Sequence, residues 1–294
     1  PERLQMWVDG ALSLQCDRLP NPALRQVFGD EPGPKRFERT AALVDVSPSA
    51  AYVVDVFRVQ GGRDHARFFH GTFGSLKPEG LSLKPGEGFG KDVLLRNVRT
   101  DPHPPVGWSA TWTIEDHYKL LPAGAEVHMR HTDLTRDAEA SAAEYWINAG
   151  NLATMDEQWI PALVTRRRGA APLASTFVAV IEPYAKTPPI ASMKRLDLVT
   201  PGGKPCPDSA VALEITLADG RRDLVIVADP GVPPAPVTVQ SGWNVTTDGE
   251  LALVRRDAAG RTLHVTLAKG TSLSVGPLKV AHEGEKTLTE WNCS

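Results

Sequence analysis

Cysteine is scarce in this chain, with Cys16, Cys206 and Cys293 far apart and odd in number among 294 residues. That spacing makes no metal motif and permits at most one disulfide, so it leaves the redox compartment open. Aromatic residues are few, at 6%. No apolar run approaches the roughly 20 residues that cross a bilayer as a helix, so no membrane span is expected. The opening PERLQMW holds neither an initiator methionine nor a signal peptide, and the chain reads as a piece of something longer. Charge of one sign is not in excess: the net charge of −3 gives no support to nucleic-acid binding. Also missing are a GxSxG elbow and a cysteine in a catalytic setting, so serine or cysteine hydrolase chemistry has no sequence support. The stretch GEGFGKD (86–92) lacks phosphate-loop spacing, with Asp92 where Ser or Thr should follow the lysine, and reads as a flexible loop.

What is present is ordinary globular composition, 41% hydrophobic and 23% charged, with 25 Gly and 25 Pro scattered along the chain. Frequent turns between short runs of β-branched and alternating residues predict an all-β fold. Strands are expected at LQMWVDG near the start, then at 40–46, 52–59, 65–71, 107–116, 125–134 and 175–184. A hairpin is expected at 211–229, turning at Asp219-Gly220, and three strands follow in the tail. Residues 71–91 read as a long Gly-rich loop with a local duplication, SLKPEG and SLKPGEG. Residues 137–168 fit a helix or a strand–loop pattern equally. The expected architecture is a large antiparallel β-sandwich (a super-sandwich) over 1–232 and a smaller C-terminal β-sheet domain over 233–294.

Residues 52–71, YVVDVFRVQGGRDHARFFHG, concentrate the chemistry. Two strand-like runs flank Gly61-Gly62-Arg63-Asp64, a hairpin signature. With a loop of two or four residues, Asp55 and His70 share one face, while Arg58, His65 and Arg67 share the other. A carboxylate beside an imidazole suits acid/base work or metal ligation, and equally a buried hydrogen bond. The apolar neighbours Val53, Phe57 and Val59 put Asp55 on the core side. The arginine face could hold carboxylates or sulfates, or be an ordinary solvated face. Zinc is a further possibility, with weak candidate ligands in Asp45, Asp55 and His70. His128 and His131 are three apart and point to opposite faces of a regular strand. Trp108, Trp112, Tyr145 and Trp146 could stack on sugar rings or pack in a core. Arg166-Arg167-Arg168 reads as a solvated turn, and His264 as a surface residue.

The run FERTAALVDVSPSAAYVVDVFRVQGGRDHARFFHG (37–71), with STFVAVIEPY (175–184), resembles the C-terminal β-sandwich region of heparinase II/III-like polysaccharide lyases. The resemblance covers most of residues 37–230. It implies β-elimination on an acidic, uronate-containing polysaccharide, in a cleft between an N-terminal (α/α) toroid and the sheet domain. The toroid, with its tyrosine, is absent from this chain, and the family's metal-ligand pattern has no clean match here. The resemblance points to His70, with His65, as the sheet-domain catalytic histidine. Arg39, Arg58 and Arg67 are the candidates for holding substrate carboxylate, and Asp55 is the structural partner of His70. The isolated chain is expected to have little or no lyase activity. Periplasmic or secreted localisation follows from the substrate class alone. The alternative is a non-catalytic carbohydrate-binding or structural β-sandwich; a metal-dependent hydrolase lacks its ligand set.

Overall fold

A computed structural model describes residues 3–8, 11–16, 36–90, 93–150, 155–232, 235–239, 242–286 and 288–293. Among them there is no helix, and the chain is all-β and sandwich-like. It divides into two compact units, the first made of Pro1–Arg58 with Pro189–Ser294 and the second of Val59–Pro188.

The first unit opens with β1 (Arg3–Val8) and β2 (Ala11–Cys16), which pair antiparallel. Strand β1 also runs parallel to β3 (Arg36–Ser47). A two-residue turn at Pro48-Ser49 then returns the chain as β4 (Ala50–Gln60) beside β3. Proline presets the backbone angle such a turn needs. Along β3, buried Glu38, Thr40, Ala42 and Val44 alternate with outward-facing residues.

The second unit holds β5 (Asp64–His70), β6 (Gly74–Glu79), β7 (Lys84–Pro85), β8 (Leu95–Asp101) and β9 (Trp108–Ile114). It continues with β10 (His128–Asp133), β11 (Glu139–Asn148), β12 (Glu157–Arg168) and β13 (Ala174–Tyr184). Strands β13-β10-β9-β6 lie side by side, and β5-β12-β11-β8-β7 form a five-stranded sheet. A core of Trp108, Ala110, Trp112, Ala140 and Leu163, with Phe69 against it, joins the two layers. This is the burial on inner faces that defines a sandwich. Within 137–168, the described residues therefore form a strand pair, β11 against β12, and no helix. The expected loop at 71–91 contains β6 and β7. Pro78 is tolerated in β6 because that strand is an edge, where one side needs no donor.

The first unit resumes with β14 (Ile190–Leu196), β15 (Val211–Leu217), β16 (Arg222–Val227), β17 (Val237–Val239) and β18 (Val245–Thr247). It ends with β19 (Leu251–Arg256), β20 (Thr262–Ala268), β21 (Gly270–Val275), β22 (Leu278–Lys286) and β23 (Thr289–Asn292). The 211–229 hairpin forms as expected, with Gly220 at φ 88 in its turn. A six-stranded sheet, β14-β15-β16-β19-β20-β23, and a four-stranded sheet, β17-β18-β21-β22, enclose one core around Trp243. The boundary expected at 232/233 falls between β16 and β17, inside this unit.

Candidate functional site

The expected hairpin over 52–71 does not form. Strand β4 sits beside β3, whereas β5 is the edge of the five-stranded sheet and pairs with β12 alone. Backbone hydrogen bonds explain the split. The Gly61 amide donates to Leu173 O (2.9 Å), the Leu173 amide to Gly62 O (3.1 Å) and the Gly169 amide to Arg63 O (2.9 Å). These partners occupy Gly61-Gly62-Arg63, so it links one sheet to another instead of closing a tight turn. Gly62, at φ 54, supplies the left-handed residue that path requires.

Asp55 therefore has a different partner from the one expected. It is fully buried and accepts a two-pronged ion pair from Arg39, Nε to Oδ1 at 2.8 Å and Nη2 to Oδ2 at 2.9 Å. That bond to Asp55 outweighs partial burial and raises the Arg39 guanidinium pKa. Phe37 and Phe57 flank the pair, their rings edge to face at 4.7 Å. The core face of β4 is Tyr52, Val54, Val56 and Arg58, opposite to the one expected. Both faces of this strand are rich in β-branched and aromatic residues, so alternation alone does not tell core from surface.

Arg58 is 1% exposed. Its Nε donates to Ser209 O (2.8 Å), its Nη2 to Val227 O (3.2 Å) and Ala228 O (2.9 Å), and its Nη1 to Glu38 and Thr40. Burial pulls its pKa down to about 10, against the pull of Glu38 and Asp229, so it stays charged at neutral pH. Arg67 is also buried, on the inner face of β5, in the field of the buried Asp133. Neither arginine is presented to a polymer: Arg58 is buried in the first unit and Arg67 and His65 in the second, so the exposed cationic strip expected of the three does not form.

His65 is a bolt inside the second unit. The Gly61 carbonyl can only accept, so Nε2 carries the proton in that 2.6 Å bond, and neutral Nδ1 accepts from the Ser175 hydroxyl at 2.9 Å. A ring with both nitrogens committed has no lone pair or proton for catalysis. His70 is different. It is exposed at the end of β5, and its ring stacks on Tyr145 of β11 at 5.1 Å with 1° between the planes. Among the described residues its nitrogens have no hydrogen-bond partner, so stacking orients the ring and leaves its proton chemistry available.

The outer face around His70 carries exposed Phe68, edge-on to Phe89 at 5.5 Å, with the Arg166 guanidinium 5.0 Å from Phe89. The three consecutive arginines end β12 rather than forming a solvated turn. Arg166 pairs with Asp64, Arg168 with Glu139, and Arg167 donates to the carbonyls of Asp137 and Ala174. Of the aromatics singled out by sequence, Trp108 and Trp112 are core, and Tyr145 lies on the outer face with His70.

The zinc candidates do not assemble. Asp55 spends both oxygens on Arg39, and Asp45 stands exposed on β3. Among the described residues no group of three or more His, Cys, Asp or Glu is placed to hold a metal ion. Sequence reasoning missed Tyr145 as the partner of His70, because the β11–β12–β5 adjacency that joins them is set by tertiary pairing.

No protein-family model matches the chain, and no curated protein sequence matches it. What the geometry defines is an all-β, sandwich-like chain in which His70, exposed on an edge strand, is stacked on an aromatic ring.

Proposed function

We propose that the chain is the β-sandwich portion of a heparinase II/III-like polysaccharide lyase, forming one wall of a cleft that receives a uronate-containing chain. The observation that carries this reading is His70. Among the polar residues of its motif, Asp55, Arg58, His65 and Arg67 are buried, while His70 is exposed with its ring held by Tyr145. An imidazole so placed can move a proton at the carbon α to a uronate carboxyl, or at the departing glycosidic oxygen. Arg39, about half exposed on its open side, is the remaining candidate for the substrate carboxylate. An N-terminal toroid completes the acid/base pair in this reading, and a periplasmic or secreted setting follows from the substrate.

The test is ultraviolet absorbance from unsaturated uronate during digestion of alginate, heparan or hyaluronan by the full-length protein. His70→Ala is expected to lower the rate at least about 100-fold with unchanged melting temperature. No product on any of these polymers overturns the reading.

A second reading, a non-catalytic carbohydrate-binding module, is favoured by Phe68, an aromatic left 43% exposed beside His70. It predicts affinity for a polysaccharide without product, lost in Phe68→Ala.

A further inference from the structure

A cavity of about 330 Å³ lies in the first unit, lined by β3 and by β16, β19, β20 and β23 of the six-stranded sheet. Its size is at the lower end of small-ligand sites, roughly 300–1,000 Å³. Leu43, Val225, Leu251 and Leu253 supply an apolar wall. The polar groups at the rim are both donors and acceptors. Asp45 is exposed on β3, and the Glu290 carboxylate on β23 has His264, at 3.7 Å, as its ion-pair partner among the described residues.

Two further groups are held in place by partners that leave a donor over. His264 Nδ1 donates to Asn292 Oδ1 at 2.9 Å and its Nε2 accepts from the Thr266 hydroxyl at 2.8 Å, so among the described residues the Asn292 amide NH₂ has no acceptor. Arg255 gives Nε and Nη2 to Asp223, each at 2.7 Å, and keeps Nη1. Asp223 is fully buried and also accepts from the Tyr52 hydroxyl at 2.8 Å, which fixes that guanidinium from behind.

We propose that this cavity binds a neutral sugar ring. A pyranose has an apolar C–H face and a rim of hydroxyls that both donate and accept, and carboxylates are its strongest acceptors. Asp45 and Glu290 would accept from hydroxyls, Asn292 and Arg255 would donate to them, and Leu43 with Leu253 would meet the ring face. The charge argues against an acidic sugar, since Asp223 neutralises Arg255 and the two rim carboxylates are left uncompensated. An organic cation would leave the donors idle. The site shares no residue with the face that carries His70 and does not rest on the lyase reading.

The experiment is saturation-transfer NMR and calorimetry on the full chain, titrated with the methyl glycosides of glucose, galactose and mannose. Methyl glucuronide and n-butylammonium serve as controls. At least one glycoside is expected to bind saturably with Kd of about 1–10 mM. Asp45→Asn and Leu253→Trp, which fills the cavity, should each weaken it at least about fivefold, and the glucuronide should bind about fivefold or more weakly than the matching glucoside. Asp45 is exposed, so D45N decides alone if L253W fails to melt cooperatively. Absence of saturable glycoside binding, binding unchanged in D45N, or preference for the glucuronide or butylammonium overturns the proposal.

Discussion

At the scale of single residues, the motif's charged groups hold the interior together. Removing Arg58 would strip donors from three carbonyls and leave Glu38 with Arg36 as its cation. Arg58→Met is expected to destabilise by about 3 kcal/mol or more, and Arg58→Lys to recover little, because an ammonium cannot reproduce the fork. Urea unfolding checks both. Asp229 gives a pH-dependent case. Burial would raise its carboxyl, but the ion pair with Arg36, with help from Ser209, brings it down to about 2 from 3.8. A depressed folded pKa stabilises above the unfolded value and loses that contribution as pH falls through the folded one. About 2 kcal/mol should therefore disappear between roughly pH 4 and 2, and be absent from Asp229→Asn across that window. Acid titration followed by circular dichroism measures it. None of these partners was legible beforehand: Arg39 to Asp55 spans 16 residues and Arg36 to Asp229 spans 193.

Among the elements, strands were legible where their chemistry is local. The 211–229 hairpin follows from Asp219-Gly220, and β13 from its run of β-branched residues. The failure at 52–71 has an equally definite cause. Gly61-Gly62-Arg63 carries a turn signal, but Leu173 competes for the backbone groups of the glycines, and Gly169 for the Arg63 carbonyl, and they win. Two glycines, one open and one tightly packed, give this account a test. At Gly62 a Cβ meets nothing within 4 Å, so Gly62→Ala bears only the left-handed backbone cost, about 1 kcal/mol. At Gly71, directly after His70, a Cβ would sit 2.8 Å from Trp112 Nε1 and 3.2 Å from Met129 Cε. Gly71→Val is expected to cost more than G62A in thermal melting, by about 1–3 kcal/mol, because the core must give way.

For the whole molecule, composition and turn frequency were enough to read the all-β class, since they report the average demand for short elements. The division into units was not readable. Tail strands β19, β20 and β23 complete a sheet begun by β14–β16, and no local signal records that. Trp243 shows how the unit closes: it is 1% exposed, donates to Glu214, and has the Arg256 guanidinium 4.6 Å from its ring. The interrupted course of the first unit has a kinetic consequence. Its two segments are separated in the chain by everything from Val59 to Pro188, so its nucleus must close a long loop that the second unit need not close. During synthesis the second unit can collapse while the first still waits for its partner strands. In refolding, the fluorescence of Trp243 should recover more slowly than that of Trp108 and Trp112, measured in single-tryptophan variants by stopped flow. Slowing should be greatest where dilution leaves the early segment exposed, making that interval the one in which the protein is most prone to aggregate.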